Sequence, residues 1–399
     1  MKILQTGISL TMVTLLLAGC GPQKTAPPYL AFVEAQKNGV GSVDGLRGVW
    51  SVTVSPDGKH VYAAGYRDDA VAVFSRDEAT GKLAFVEAQK EGVGGLDGIG
   101  GACSVAVSPD GRHVYVASHW DYAVAVFSQD RTTGKLTFVE AQRDGVGGVD
   151  GLFVIQWVTV SPDGKHVYTA GYRDYAVAVF SRDETTGKLT FVEVQKDDVG
   201  GVDGLYGASF VTVSPDGEHV YAAGYLDSAV VVFKRDRGTG KLTFVEVQQD
   251  GVGSVDGLRG ASSVAPSPDG KHIYVAGVSD HAVTVFSQDK TTGKLTWIEV
   301  QQDGVGGVDG LQGARSVVVS PNGRYVYAAG WGEHALAVFS RDGTTGKLTF
   351  VESQRDGLGG VDGLQGASCV AVSPDRNGKH VYVAGNWAQA VSVFNVLHP

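Results

Sequence analysis

The residues of this sequence that could act on another molecule are a scattered set of aromatics with a few polar side chains among them. Trp50, Trp120, Trp157, Trp331 and Trp387 fall in long loops or at the start of the strand-like run that follows, together with Phe153, Phe210 and Tyr206. Gln156, Arg259 and Arg315 lie among them, and Tyr66, Tyr122, Tyr172, Tyr175 and Tyr225 join the group. Aromatic faces stack on sugar rings or pack peptide side chains, while polar groups fix the orientation of what is bound. A glycan, peptide or protein is therefore the expected partner. The same aromatics could instead plug a channel or tile one another.

Signals for catalysis are few. The chain holds no G-x-S-x-G elbow, no H-E-x-x-H and no C-x-x-C pair. His281 and His334 occupy equivalent places in adjacent copies of a repeat, beside Asp280 and Glu333. With Arg315 they are the candidates for acid–base or metal chemistry. Two histidines on surface loops are more often simply solvated, so no metal or cofactor is expected and the catalytic set stays open.

These residues are the exceptions in a repeat. From Leu30 the sequence recurs every 53 residues, at Leu83, Leu136, Leu189, Leu242, Leu295 and Leu348. Each copy offers four strand signals. "LTFVEVQ" alternates in polarity. "SVAVSPDG" ends in a turn with Pro and Gly where a type I turn takes them. "KHVYAAG" and "AVAVFSRD" are nearly continuous apolar runs, as in strands covered on both faces. Seven copies of four antiparallel strands predict an all-β, seven-bladed β-propeller over residues 30–399. The chain begins on a fourth-strand segment and ends on a third, so residues 30–36 are expected to complete the last blade and close the ring. The "SPDG" and "TTGK" turns must share one face. The Gly-rich loop and the loop after "VYAAG" share the other, which holds the long loops and is the candidate functional face.

Repeated features are read as structure. Asp44, Asp97, Asp150, Asp203, Asp256, Asp309 and Asp362 recur in "VDG" and read as turn residues, not as a calcium array. His60, His113, His166, His219, His272 and His380 mark one strand start and read as structural or solvated. Lys and Arg read as scattered at turns. With a net charge of −10 and no basic stripe, nucleic-acid binding is excluded. Cys103 and Cys369 sit at non-equivalent positions of non-adjacent copies, so two buried thiols are favoured over a disulfide.

The N-terminus reads differently. Lys2 and the apolar run Ile8–Ala18 have signal-peptide character, and the run is too short for a permanent span. It ends in Leu17-Ala18-Gly19-Cys20, which resembles the lipobox of bacterial lipoproteins. The resemblance implies loss of residues 1–19, a lipid on Cys20, a tether over 20–29 and a place in the cell envelope. With Gly21 and not Asp after the Cys, it points to the outer membrane. Membrane attachment is expected through that lipid alone, on a monomeric ring.

The run "SPDGKHVYAAG" through "AVAVFSRDETTGKLTFVE" resembles the lactonase-type seven-bladed propellers and the related YVTN-repeat proteins over residues 30–394. This implies the ring fold and makes lactone hydrolysis on the long-loop face an alternative to ligand binding there. A passive scaffold is the third reading. A thinner resemblance, Asp289, Thr292, Gly293, Lys294 and Trp297, is to quinoprotein repeats, but the same turn in the other copies carries Phe.

Overall fold

The computed structural model describes residues 29–398. The expected leader, Cys20 and the tether up to residue 28 lie outside the described residues. All strands fall into seven four-stranded antiparallel sheets arranged as the repeat requires. Blade 1 runs from the channel outward through Val49–Val54, His60–Gly65, Ala70–Arg76 and Leu83–Lys90. Blades 2 to 7 follow in chain order. Blade 7 takes its outer strand from the other end of the chain: Leu30–Lys37 pairs with Ala390–Val396, with Phe32 opposite Phe394.

The second strand of each blade is buried almost end to end because it is covered by the neighbouring blades. The outer strands are held by a stitch that explains the repeated Glu-x-Gln. Glu34 accepts the Leu83 N–H at 2.8 Å while Gln36 donates to the Leu83 carbonyl at 3.0 Å. The pattern continues around the ring to Glu352, which accepts the N–H groups of Tyr29 and Leu30, both at 2.9 Å. Ring closure thus uses the same bonds as every other blade junction.

The short-turn face corrects the reading of arginines as turn decoration. Arg76, Arg182, Arg235 and Arg341 are buried between blades. Arg235 donates to the Tyr168 hydroxyl (2.7 Å), the Gly217 carbonyl (3.0 Å) and Asp163 (2.9 Å), and lies 2.8 Å from His166 Nδ1. The recurring histidines are therefore buried seam residues and not solvated. The "TGK" glycine completes the seam. At φ +77°, a Cβ on Gly240 would come within 2.2 Å of the His166 ring, so no side chain fits.

Each inner strand carries a β-bulge after its first residue. The register jumps from Val49 to Ser51, from Ile155 to Trp157 and from Ala314 to Ser316, and likewise in the other four blades. A bulge re-aims the extra side chain. The extra residues are Trp50, Cys103, Gln156, Ser209, Ser262, Arg315 and Ser368, which is where the copies differ most. Cys103 approaches the Ala117 carbonyl at 3.3 Å, as Ser262 and Ser368 approach the equivalent carbonyls of Ala276 and Ala384, and both it and Cys369 are buried free thiols.

Candidate functional site

Six of the seven bulge residues line one well at the long-loop mouth of the central channel. Its volume is about 220 Å³, and Trp157, Phe210, Tyr172 and Tyr225 complete its aromatic wall beside several serines. The serines were not singled out from the sequence. Only the bulge at each inner strand reveals which of them turn toward the channel.

Arg315 dominates the electrostatics. Its guanidinium lies 4.2 Å from the Trp50 ring and 4.9 Å from the Trp331 ring, in the angle between two indoles whose centroids are 5.8 Å apart and whose planes are 56° from parallel. No carboxylate pairs with it among the described residues, unlike the seam arginines. Burial pulls its pKa down to about 10, with the nearby Tyr225 hydroxyl acting in the opposite direction. It remains a cation at neutral pH. The wall around it offers only neutral groups, so its charge is free for an incoming anion or a developing oxyanion.

The expected binding residues divide into four groups. Trp50, Gln156, Trp157, Phe210 and Arg315 meet in the well. Trp331 backs Arg315 and is edged by the half-exposed Trp387 at 5.0 Å. Trp120 forms a second tier, its indole N–H donating to the Tyr66 hydroxyl at 2.9 Å while Tyr66 packs on Trp50. Phe153 and Tyr206 stand on the exposed rim against Tyr122 and Tyr175, and Arg259 is exposed on its loop. Neither these three nor Trp120, Trp331 and Trp387 line the well itself.

His281 and His334 are each given a loop-bracing task. Nδ1 of His281 accepts the Gly313 N–H at 2.9 Å and Nδ1 of His334 accepts the Gly366 N–H at 3.2 Å. Asp69 and Ser228 accept the equivalent glycine N–H groups in other blades. The imidazoles thus stand where a carboxylate or hydroxyl does the same work. The "VDG" aspartates do more than turn the chain. Asp44 and Asp150 pair with Lys90 and Lys196 at the ends of outer strands, and five loop junctions bring three carboxylates together, among them Asp303, Asp309 and Glu333. The turn of Asp289 and Thr292 is built like those of the other blades, with Asp289 accepting two backbone N–H groups, and Trp297 pairs with Phe286 as Phe does elsewhere.

Known proteins place this geometry. The family described as "Lactonase, 7-bladed beta-propeller" matches residues 37–142, 93–202, 157–298 and 202–361. A 6-phosphogluconolactonase of Klebsiella pneumoniae is 24% identical over 332 residues, covering 72% of this chain and 93% of that protein. Among solved structures, the periplasmic gluconolactonase of Pseudomonas aeruginosa is similar at 22% identity and TM-score 0.63, covering 77% of this chain and 85% of its own. The hydrazine synthase of Kuenenia stuttgartiensis is similar at 21% identity and TM-score 0.64, over 91% of this chain and 100% of its own. At such identities the structures speak for the ring alone, since one fold hosts many chemistries. The family match runs through most of the repeats, and on it the chain belongs to the seven-bladed β-propeller lactonases.

Proposed function

We propose that the protein is a lactone hydrolase and that the aromatic well on the long-loop face is its substrate site. The observation that carries this reading is Arg315, an uncompensated guanidinium held against two adjoining indoles in a neutral pocket. In the reaction, a water oxygen adds to the lactone carbonyl carbon. The ring C–O bond then breaks, the ring oxygen leaves with a proton, and a hydroxy acid results. Arg315 donates to the carbonyl oxygen as it gains charge, a service worth on the order of 100- to 1,000-fold where one such donor is removed. No carboxylate or imidazole lines the well, so the chain contributes carbonyl polarisation and orientation, with water entering from the mouth. At about 220 Å³ the well is smaller than the roughly 300–1,000 Å³ of drug-sized pockets, and suits a single sugar ring. The relatives named for phosphogluconolactone and gluconolactone support a sugar-acid lactone as the substrate class.

The test is hydrolysis of aldonolactones, with and without a phosphate, measured above the uncatalysed rate. Wild type should accelerate at least one, and Arg315→Gln should lose about 100-fold or more of that rate. Failure to accelerate any lactone would sink the reading.

We also propose attachment to the envelope through a lipid on Cys20. Leu30 starts its strand at the short-turn face, so a tether through Tyr29 leaves from that side. The well then opens away from the membrane. Cys20→Ser should shift the protein from the membrane to the soluble fraction; unchanged partitioning would count against the anchor.

A further inference from the structure

The central channel is divided in two. Beneath the well lies a second cavity of about 330 Å³, walled by Val54, Val105, Val264, Val317 and Val370 and without a charged side chain. Trp157 and Phe210 are the large side chains that border both cavities. Their rings lie 4.4 Å apart with their planes 32° from parallel.

The other five copies carry Ser51, Ser104, Ser263, Ser316 and Cys369 at this position. Three of those serines tie neighbouring inner strands: the N–H groups of Val158, Val317 and Val370 donate to Ser104, Ser263 and Ser316 at 3.2–3.3 Å. Blades 3 and 4 give up that tie for an aromatic ring. Trp157 packs on the core between blades 3 and 4 and also on the core between blades 7 and 1, on the far side of the ring. A side chain that touches both sides of a channel is a partition.

We propose that Trp157 and Phe210 are specificity-determining residues that form the floor of the well, ending the ligand's path after one sugar-sized unit and confining entry to the long-loop face. The inference rests on the proposed role of Arg315 as donor to the lactone carbonyl oxygen, which after hydrolysis is an oxygen of the product's carboxylate. Without the floor, a tail anchored there would run on into the valine-lined cavity.

The experiment compares straight-chain carboxylates from propanoate to decanoate by calorimetric titration, on wild type and on Trp157→Ser/Phe210→Ser. Both substitutions install the residue most other copies carry, which favours a folded ring. Wild-type affinity should stop rising once the well is full. In the variant it should keep rising, by about fourfold for each further methylene buried. The same length dependence in both proteins would overturn the proposal. Should wild type bind no carboxylate, the anion reading of Arg315 falls on its own, and the floor is then judged from the crystal structure of the variant. A continuous passage supports it, and two separate cavities overturn it. Phe210→Ser alone serves in the same two measurements if the double variant does not fold.

Discussion

The two ends of the central channel are built on opposite rules. On the short-turn face, four of the seven seams repeat one arrangement: an arginine from one blade meets a tyrosine, a histidine and an aspartate from the preceding blade. On the long-loop face, the equivalent bulge residues are Trp, Cys, Gln, Ser, Ser, Arg and Ser. The seam arginines have their charges met by Asp110, Asp163 and Asp269, and more distantly by Asp375. Arg315 is met by rings alone. A compensated buried cation serves the fold, whereas an uncompensated one costs stability and is useful only to a ligand.

The largest break in this comparison should come from acid. Burial lowers the pKa of all six seam histidines, and it brings His380 down to about 4 with help from the adjacent Arg76 guanidinium. The unfolded chain protonates these groups below about pH 6.5, while the folded ring resists. Their contribution is therefore fully present above pH 6.5 and drains away as pH falls toward 4. At His380 alone it is on the order of 3 kcal/mol. Denaturant midpoints measured at pH 7.5, 6 and 5 should fall steadily, and a flat profile would show that the seams do not control stability. The well answers to the opposite extreme: anion binding should weaken above about pH 10, where Arg315 loses its charge.

Single substitutions sharpen the contrast. Arg235→Ala leaves Asp163 and His166 facing an empty seam, and removing one member of a buried charged set costs about 3–5 kcal/mol. Arg315→Ala removes a charge that no carboxylate needs, so its denaturant midpoint should match or exceed wild type while ligand binding is lost. Unfolding curves and titrations on both variants check this, and comparable destabilisation by the two would erase the distinction.

Much of the ring could be read from the sequence, because seven copies average away accident. The period, the four strands, the faces of the loops and the closure by residues 30–36 all follow from patterns repeated seven times. The well was partly legible: Trp50, Gln156, Trp157, Phe210 and Arg315 stood out as departures from the repeat. Phe153, Tyr206 and Arg259 stood out equally, yet they face the rim. What separates the two sets is the bulge, a property of strand register that one strand's sequence does not declare. The seam arginines were hidden for a related reason. Each stands beside a turn in sequence, and only the preceding blade's tyrosine and histidine show that it is inside.

The seams supply the last test, because two of the three that lack the arginine carry a glutamine; in the third Val396 stands there, and Tyr29 meets the Tyr327 hydroxyl at 3.1 Å instead. Gln129 and Gln288 replace it, and the tyrosine pays for the change. In the arginine seams the tyrosine hydroxyl donates to the neighbouring glycine carbonyl at 2.8–3.0 Å. Opposite Gln129 that bond stretches to 3.5 Å, between Tyr62 and Gly134. Opposite Gln288 it is gone, and the Tyr221 hydroxyl, His219 Nε2 and Gln288 Nε2 are buried without partners. Gln288→Arg should restore the arrangement, since Tyr221, His219 and Asp216 already stand where the other seams hold theirs. Charged hydrogen bonds and rescued polar groups gain more than guanidinium burial costs when every partner is in place, for a net stabilisation of about 1 kcal/mol. Gln129→Arg should gain less, because Gln129 already approaches His60 Nδ1 at 3.5 Å. Denaturant unfolding of the two variants would decide it. If Gln288→Arg were neutral or destabilising, the seams could not be equivalent, and repetition on the short-turn face would not be what holds the blades together.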